Sequence, residues 1–443
     1  MTTCQKVYGV LSRVPTIRIR NIKFFVKCLP ILLVIMMLSG CSLNSVRTPD
    51  HAGKVDSAVI VVPGYYGTQL VRESDGSLVF ISLTQALFGH QSLTLPVPDL
   101  GFEGTIDLKP DGILDEVRLV PVVYSIDVYG SLLDRLRVSN HRCGEVILFS
   151  YDWRGDLMAA VHSLDALIRR LRGEGKKDIS IVAHSMGGLI VSYYLRYGVQ
   201  DMATAVETWK GAEEFKRVVL VGVPFLGVMN SFRNMNFGVT VGWNSSLLSS
   251  EAYSSFPASY YTLPVAEIDE LLRPEGKPLK GVIRSAEQWR ESEWGLLKNK
   301  EGFPNDIVER RARFTSLWLH RSQQFLEVLQ APLSTPSPYP VSLLYLYGKG
   351  TSTLKKGVWA GNQGKGPDAL VFADPDQGKS VSAGNLPTLY ADGDGTVTVS
   401  SAWLPAAYGQ TFQATIREYE VGHTELVTTP EIQDDIMRFL DSR

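Results

Sequence analysis

Residues 178–197 are the stretch that most restricts how this chain can fold. They read DISIVAHSMGGLIVSYYLRY, a β-branched run followed by small residues around Ser185 and then by apolar residues at helical spacing. A short apolar run predicts a buried strand, and the spacing of the later apolar residues predicts an amphipathic helix. The stretch therefore predicts a strand, a tight turn at Ser185 and a helix.

The turn at Ser185 resembles the nucleophile elbow of the α/β-hydrolases, in which a serine hydroxyl projects from the end of a strand. Small residues two positions before and after the serine let the strand and the helix approach closely, and Ala183 and Gly187 fill these positions. Ala183 carries one methyl group more than the usual glycine. Because so short a motif also occurs by chance, an ordinary strand–helix turn is the competing interpretation. The flanking strand and helix patterns favour the elbow.

The composition excludes some classes of function. The chain has 443 residues, with 44 Lys and Arg against 46 Asp and Glu, so its net charge is −2. Nucleic-acid-binding proteins carry a basic surface, and this balance predicts no nucleic-acid partner. The spacing of cysteine and histidine does not match a zinc site. We therefore expect no metal site and no cofactor, while a hydrophobic content of 44% supports a sizeable core.

Residues 1–40 resemble an export signal rather than part of the core. Six lysines and arginines, with no acidic residue among them, precede the apolar segment 29–38. This segment is short for a bilayer span and ends in Leu-Ser-Gly-Cys. That ending resembles the lipobox of bacterial lipoproteins, which predicts cleavage after residue 40 and lipidation of Cys41. An uncleaved signal anchor is the alternative.

The polar residues 41–55 are predicted to be a tether that follows the lipidated cysteine. In the lipoprotein class, a residue other than aspartate after that cysteine implies export to the outer membrane, and Ser42 stands there. The expected location is therefore the bacterial cell envelope, with a lipid anchor in the outer membrane.

Strand patterns alternate with helical patterns on both sides of the Ser185 turn. This order predicts a mostly parallel sheet with helices on both faces, the α/β-hydrolase fold. The first part of the core is predicted at 56–227. About a hundred residues without a buried strand pattern then predict a largely helical cap or lid at 228–338, and residues 339–443 complete the core. Residues 70–104 are predicted to be mainly loop, and 351–385 a loop or short hairpin.

The candidate base and acid are expected to follow Ser185 along the chain. A serine hydroxyl becomes a nucleophile when a base removes its proton, and a third group must fix the tautomer of that base. The chain order in α/β-hydrolases is serine, acid, histidine. Of the seven histidines, only His423 follows a late strand and an acidic loop, so it is the predicted base. A structural turn histidine is the alternative.

Two aspartates compete as the acid. Asp394 precedes a glycine turn that can aim its carboxylate toward the histidine loop. Asp392 is suited to bonding local backbone or a calcium ion, although the spacing does not complete a known calcium loop. The residue pattern alone leaves this choice open.

Loops beside the nucleophile supply the backbone N–H groups that stabilise a tetrahedral oxyanion. One donor is the residue after the nucleophile, here Met186, and the other comes from the loop after an early strand. The predicted strand 57–62 ends in Pro-Gly-Tyr-Tyr-Gly-Thr, which is the candidate for that second donor. A turn without a catalytic role is the alternative.

Eight segments occur in the order seen in the lecithin:cholesterol acyltransferase-like family, which the chain resembles over about residues 59–426. They are VVPGYYGTQL, YDWR, AHSMGG, VVLVGVPFLG, SSFPASYYTLP, LLYLYGKGTST, DGDGTVTV and GHTEL. The resemblance implies that Ser185 is the nucleophile, Asp394 the acid and His423 the base.

The same resemblance extends to residues around the nucleophile. It implies backbone oxyanion donors at Tyr65 and Met186. It also places the Asp-Trp-Arg segment 152–154 near the entrance of the active site, and Tyr66 and Trp153 are candidate substrate-binding residues. A structural Asp–Arg pair packed on the tryptophan is the alternative for this segment.

The reaction that these residues imply has two steps. A lipid ester acylates Ser185, and water or an alcohol then takes the acyl group. The expected protein is a membrane-tethered lipase, phospholipase or transacylase whose partners are a lipid acyl donor and one of these acceptors. Two alternatives remain: a serine hydrolase of non-lipid esters, amides or polyesters, and a non-catalytic lipoprotein that binds envelope lipid or a partner. The sequence predicts no oligomeric state.

Overall fold

A computed structural model of the protein describes residues 56–442 except for 83–85, 87–88, 90, 98–99, 103–105, 121–123, 140–143, 266–269, 362–368 and 373–388. The predicted signal peptide 1–40, the tether 41–55 and the lipidation site Cys41 lie outside the described residues and stay predictions. Among the residues that are described, no helix combines the length and the hydrophobicity that a bilayer span requires.

Strands occur throughout the described chain. In order they are β1 (Ser57–Val62), β2 (Thr68–Arg72), β3 (Leu78–Phe80), β4 (Leu108–Ile113), β5 (Glu116–Val120), β6 (Tyr124–Asp127), β7 (Glu145–Leu148), β8 (Asp178–His184), β9 (Arg217–Val221), β10 (Val239–Val241), β11 (Asn244–Leu248), β12 (Glu270–Leu272), β13 (Pro278–Leu279), β14 (Ser342–Gly348), β15 (Thr351–Leu354), β16 (Lys356–Trp359), β17 (Leu370–Val371), β18 (Tyr390–Gly393) and β19 (Thr415–Tyr419).

Helices connect the strands and dominate the middle of the chain. They are α1 (Gly130–Val138), α2 (Leu157–Gly173), α3 (Met186–Tyr197), α4 (Met229–Phe237), α5 (Ser250–Ser255), α6 (Pro257–Tyr261), α7 (Ala286–Glu291), α8 (Asn305–Gln330), α9 (Ala406–Phe412), α10 (Glu425–Thr428) and α11 (Pro430–Asp441). Short 3₁₀ turns lie at Lys210–Glu214, Val282–Arg284, Gly295–Leu297 and Lys300–Gly302.

The central sheet of the described residues has six strands in the order β19-β14-β9-β8-β1-β7, and every neighbouring pair is parallel. The strand that leads to Ser185, β8, lies between β1 and β9, so that Ile181 is opposite both Ile60 and Val218. Parallel strands need crossover connections, which the helices supply. The predicted fold class, an α/β-hydrolase fold with a mostly parallel central sheet, is confirmed.

Alternate residues of β1 face two different hydrophobic cores. Ile60 and Val62 pack in one core with side chains of α2 and α3, whereas Val59 and Val61 pack in the other with side chains of α1 and α11. Side chains alternate across a strand, so a strand that is covered on both faces must be apolar at nearly every position. This explains the apolar run of β1, and it places helices on both faces of the sheet.

The described residues of 70–104 are mainly loop, as predicted, although they include the end of β2 and all of β3. Strands β2 and β3 begin within or next to this segment and pair antiparallel with each other, and β2 also pairs with β4. The strands are short, and β4 contains both proline and glycine, so the alternation along the chain is a weak signal. In 351–385, β16 and β17 form an antiparallel pair, which agrees with the alternative of a short hairpin.

The segment predicted as the cap, 228–338, contains helices α4 to α8 and the antiparallel pair β10–β11. Its large aromatic side chains pack mainly on one another: the ring of Phe232 lies 5.8 Å from that of Trp289 and 4.9 Å from that of Trp294. One pairing crosses the predicted boundary, because β12 pairs with β16 in the chain after the cap. The domain boundaries themselves stay predictions.

Arg196 connects the helix after Ser185 to the end of the cap helix α8. Its guanidinium binds the carboxylate of Glu207 and donates to the backbone carbonyls of Ala331 and Pro332, each at 2.8 Å. The side chains of Arg196 and Glu207 are only 1% and 6% exposed. Removing one partner of such a pair leaves the other charge buried without its counterion, which is strongly destabilising.

We predict that Arg196→Met lowers the free energy of unfolding by about 3–5 kcal/mol, because Glu207 then stays buried without a cation. The matched control is Arg170→Met, which breaks an exposed pair with Glu174 and should cost less than about 1 kcal/mol. Urea denaturation of the wild type and both variants measures the two losses. Equal losses would contradict the structural role of Arg196.

Candidate active site

Ser185 lies at the turn between β8 and α3, with φ 54° and ψ −128°. A positive φ is unfavourable for a residue with a Cβ atom and persists only where the surroundings fix it. The Ser185 N–H donates to the Val221 carbonyl of β9 at 2.7 Å, which ties the turn to the neighbouring strand. The strand, the turn and the helix that the sequence predicts are therefore present, with the serine between strand and helix.

Close approach of two backbone segments explains why glycine is required at position 187 of the turn and at position 64 of the loop after β1. A Cβ atom on Gly187 would lie 2.5 Å from the Pro63 carbonyl oxygen, and one on Gly64 would lie 2.7 Å from Ser185 Cβ. Both distances are shorter than side chains tolerate, so the loop after β1 packs directly against the turn. Ala183 is fully buried, and its methyl group is accommodated in the core.

Two loops bring an imidazole and a carboxylate to Ser185. His423 Nε2 lies 2.8 Å from Ser185 Oγ, and His423 Nδ1 lies 2.7 Å from Asp394 Oδ2. The backbone N–H of His423 also donates to the backbone carbonyl of Asp394 at 2.9 Å. The three side chains thus form one hydrogen-bonded chain. Such a chain can pass the hydroxyl proton to the imidazole while the carboxylate fixes the ring.

The carboxylate of Asp394 is held in its charged form. Its second oxygen, Oδ1, accepts the backbone N–H groups of Thr396 and Val397 at 2.9 and 2.7 Å. Burial opposes the charged form, but the imidazole of His423 and these N–H groups outweigh it, so the pKa of Asp394 is lowered from its ordinary value. The group is therefore ionised at neutral pH and can stabilise a positive imidazole.

Asp392 lies in strand β18, two residues before Asp394, and its carboxylate bonds a group other than the imidazole. It is exposed, and its Oδ1 accepts the Gly350 N–H at 2.6 Å. Within the described part of the chain, neither a hydrogen bond nor an ion pair joins Asp392 to His423. The residue pattern leaves both aspartates as candidates for the acid, and in the structure it is Asp394 that contacts the imidazole.

The backbone N–H groups of Tyr65 and Met186 are the predicted oxyanion donors. Met186 directly follows Ser185, and Tyr65 follows Gly64, on which an added Cβ atom would lie 3.3 Å from Ser185 Oγ. Neither N–H donates a hydrogen bond to any acceptor in the described residues. Unpaired N–H groups beside the hydroxyl are suited to an oxyanion, and the role of these two stays a prediction.

The side chain of Tyr65 joins the loop after β1 to the cap. Ser259 Oγ donates to the Tyr253 carbonyl at 2.8 Å, so the Tyr65 hydroxyl donates to Ser259 Oγ, also at 2.8 Å. The rings of Tyr65 and Tyr253 stack with centroids 5.6 Å apart. Since Tyr253 lies on α5 and Ser259 on α6, the cap holds this loop beside the serine.

Tyr66 and Trp153, the candidate substrate-binding residues, lie in an aromatic cluster. Their rings are 4.9 Å apart, and Phe80 lies 5.6 Å from the first and 4.9 Å from the second. Trp153 is fully buried, and its indole N–H donates to the Thr68 carbonyl at 3.0 Å. In this arrangement Trp153 has no free surface, and its role in substrate binding stays a prediction.

The Asp–Arg pair that flanks Trp153 is present. Arg154 Nε and Nη2 donate to the two carboxylate oxygens of Asp152 at 2.9 and 2.8 Å. Arg154 Nη1 donates to the Leu93 carbonyl at 2.9 Å, and the arginine side chain is 1% exposed. A bidentate pair of this kind braces the loop on which Trp153 sits.

A second hydrogen-bonded chain at the site is missed by the sequence analysis. The Gly64 N–H donates to the Tyr129 hydroxyl at 2.9 Å, and that hydroxyl lies 2.8 Å from His184 Nδ1. His184 Nε2 lies 3.2 Å from the His423 carbonyl oxygen. The sequence places His184 next to Ser185, which could have marked it as part of the site. Its contact with Tyr129 has no local signal, because the two residues are 55 positions apart along the chain.

A cavity formed by the described residues lies away from Ser185. A cavity of about 280 Å³ is lined by Leu226 and by α8 residues such as Leu326 and Gln330, and Ser185 is not part of its lining. In the described ranges, no group of three or more His, Cys, Asp or Glu side chains is arranged to hold a metal ion.

The fold and the contacts at Ser185 define an α/β-hydrolase-fold protein with a Ser–His–Asp arrangement. A family model described as "Lecithin:cholesterol acyltransferase" matches residues 112–294. This segment contains the Ser185 turn, whereas Asp394 and His423 lie beyond it. The resemblance to the lecithin:cholesterol acyltransferase family is therefore confirmed, and membership of a bacterial lipoprotein class stays a prediction.

A curated relative matches part of the chain. An uncharacterized protein of Saccharomyces cerevisiae is 25% identical over 216 residues, which cover 48% of this chain and 30% of the yeast protein. The match thus spans less than a third of that relative. It supports a shared segment and says nothing about the activity of either whole protein.

Solved structures resemble the chain at low identity. The Tle4–Tli4 complex matches with 14% identity and a TM-score of 0.46, covering 85% of this chain and 96% of that chain. Bacillus licheniformis lipase BlEst2 in mature form matches with 11% identity and a TM-score of 0.33, covering 88% and 94%. Phospholipase PlaB from Legionella pneumophila matches with 10% identity and a TM-score of 0.36, covering 87% and 59%. No conclusion about activity follows from similarities this low.

We predict that Asp394→Asn slows the reaction of Ser185 with a fluorophosphonate by about 10⁴-fold, because the amide cannot hold the imidazole in the required tautomer. The matched control is Asp392→Asn, which should react at the wild-type rate since the Asp392 carboxylate bonds the Gly350 N–H and, among the described residues, makes no bond to His423. Labelling rates of the three proteins give the measurement. A slow Asp392 variant beside a fast Asp394 variant would reverse the assignment.

Proposed function

We propose that the protein is a serine acyl hydrolase or O-acyltransferase that acts on lipid acyl esters through an acyl-enzyme intermediate. The observation that carries this proposal is the contact of Ser185 Oγ with His423 Nε2 at 2.8 Å, with Asp394 2.7 Å from the other ring nitrogen. Similarity to the lecithin:cholesterol acyltransferase family supports the lipid acyl ester as the substrate class.

Acylation of the serine is the first half of the proposed reaction. His423 Nε2 takes the hydroxyl proton as Ser185 Oγ attacks the ester carbonyl carbon. The backbone N–H groups of Tyr65 and Met186 donate to the oxygen that becomes negative, and one such donor is worth about 3–4 kcal/mol of barrier. His423 then returns the proton to the leaving alcohol, and the acyl group stays on Ser185.

Transfer of the acyl group is the second half. His423 takes a proton from water or from an alcohol as that oxygen attacks the acyl carbonyl carbon. The bond from this carbon to Ser185 Oγ then breaks, and His423 returns the proton to the serine oxygen. Water as acceptor gives a free fatty acid, whereas an alcohol gives a new ester. The extent to which the cap excludes water decides the balance between them. Ser185 is only 8% exposed, so either acceptor must reach a largely buried oxygen.

The membrane attachment belongs to the same proposal. A lipid on Cys41 and the tether 41–55 would keep the described fold close to an outer-membrane surface, where its acyl donors are found. Binding of the acyl chain to Tyr66 and Trp153 would require the aromatic cluster to open, because Trp153 is fully buried. Phospholipid therefore reaches these residues only after the cap has moved.

We predict that purified protein is labelled once by a fluorophosphonate and that Ser185→Ala abolishes labelling, since Ser185 carries the hydroxyl that contacts the His423–Asp394 pair. Ser180→Ala is the matched control, because Ser180 lies on β8, the strand that leads to Ser185, and is also 8% exposed. The same three proteins are then incubated with defined phospholipid and mixed alcohols, and the products are identified by mass spectrometry.

Wild type and the Ser180 variant should release fatty acid or form acylated alcohol, and the Ser185 variant should form neither. Full labelling of Ser185→Ala would exclude the proposed nucleophile. Labelling of the wild type without any lipid product, together with cleavage of short water-soluble esters, would replace the lipid substrate with a non-lipid one.

A further inference from the structure

His184 stands at the centre of a hydrogen-bonded chain that the proposed reaction does not use. It is the residue before Ser185, and its side chain is buried. One ring nitrogen faces the Tyr129 hydroxyl, and the other faces the backbone carbonyl of His423. Through Tyr129 the chain continues to the N–H of Gly64, the residue before the predicted oxyanion donor Tyr65.

The direction of every bond in this chain is fixed by elementary chemistry. A carbonyl oxygen only accepts, so His184 Nε2 carries the proton and donates to the His423 carbonyl. A neutral ring has one N–H, so Nδ1 accepts from the Tyr129 hydroxyl. The same hydroxyl oxygen accepts the Gly64 N–H. Each polar group in the chain therefore has a partner of the correct kind.

The ring of His184 is suited to this arrangement because it stays neutral. Burial, with a smaller contribution from the nearby His423 imidazole, lowers the pKa of His184 from 6.5 to about 3. The centroids of the two imidazoles are 4.8 Å apart. A neutral ring keeps Nδ1 as an acceptor and adds no positive charge beside the base.

We propose that His184 is a positioning residue that holds the loop of the base and the loop of the oxyanion donor against Ser185 at the same time. One arm runs from His184 Nε2 to the His423 backbone and sets the approach of the base. The other arm runs through Tyr129 to Gly64 and sets the position of the Tyr65 N–H. The inference rests on the proposed function, because it assigns His184 and Tyr129 a part in that reaction without contact to substrate.

Separate substitutions can remove each of the two hydrogen-bonded arms. His184→Gln keeps a side-chain N–H near the place of Nε2, so it can still donate to the His423 carbonyl. His184→Asn keeps an acceptor near the place of Nδ1, so it preserves the Tyr129 arm. His184→Ala loses both arms, and Tyr129→Phe loses only the second. Tyr408→Phe is the control for loss of a buried hydroxyl, because Tyr408 donates to the Ser192 carbonyl at 2.9 Å in another part of the core.

The experiment measures kcat and KM on a soluble ester, the rate of fluorophosphonate labelling and the thermal unfolding midpoint for each variant. His184→Ala should lower kcat and the labelling rate by about 10²-fold, since small displacements of reacting groups cost that much. KM should change by less than about threefold, because uniform substrate binding is intact. His184→Gln and His184→Asn should each react about tenfold faster than His184→Ala. Tyr408→Phe should react like the wild type.

A double variant completes the test. Tyr129→Phe should slow the reaction by about tenfold alone, and it should add nothing to His184→Ala, because groups that act through one chain are not additive. Equal labelling rates per folded molecule in wild type and His184→Ala, or no recovery with Gln and Asn, would overturn the positioning role while the proposed function stands. Absence of labelling in the wild type would overturn the proposed function and this inference with it.

Discussion

The arrangement at Ser185 depends on the parallel order of the central sheet. Because β1, β8 and β19 run in the same direction, the loops that follow them open at one edge, although 238 residues separate Ser185 from His423 along the chain. Backbone contact then sets the final distances, since only glycine fits at positions 64 and 187. A Cβ atom at either position would push the loop after β1 away from the serine. The hydrogen bonds of the site are therefore consequences of strand order and of close backbone packing.

The two side chains that lie next to His423, Asp394 and His184, differ in charge. The Asp394 carboxylate is buried, yet its pKa is lowered because His423 and two backbone N–H groups compensate for the lost water. At His184 burial is the dominant effect: it disfavours the charged ring and, together with the nearby His423 imidazole, lowers the pKa from 6.5 to about 3. The first group stays negative and the second stays neutral. A positive charge that forms on His423 thus meets an anion at one nitrogen and no competing cation behind it.

Local patterns predict the parts of the site that lie within one stretch of chain. The Ser185 turn follows from a β-branched run, small residues and helical spacing, and chain order selects His423 without any contact information. The residue pattern alone leaves Asp394 and Asp392 in competition, and the family resemblance favours Asp394. The structure distinguishes them by burial and by contact, because Asp394 is buried against His423 whereas Asp392 is exposed and bonds the Gly350 N–H. Pairings between distant segments have no local signal, which is why the contact of Tyr129 with His184 and the pairing of β12 with β16 were not predicted. The strands β2 to β4 were missed because β2 and β3 are only five and three residues long, and because proline and glycine interrupt the alternation of β4.

The contact between Tyr65 and the cap links substrate entry to the chemistry. The Tyr65 hydroxyl is bound to Ser259 and its ring is stacked on Tyr253, while its backbone N–H is the predicted oxyanion donor. A cap movement large enough to admit a lipid would either break these contacts or carry Tyr65 with it, so the N–H could not keep its place by itself. The chain from Gly64 through Tyr129 to His184 binds the same loop and does not involve the cap. The Tyr151 hydroxyl, which donates to the Pro63 carbonyl at 2.9 Å, is a further contact outside the cap. With the cap open, these contacts would still hold the loop against Ser185, and with the cap closed the contacts of Tyr65 would add to them.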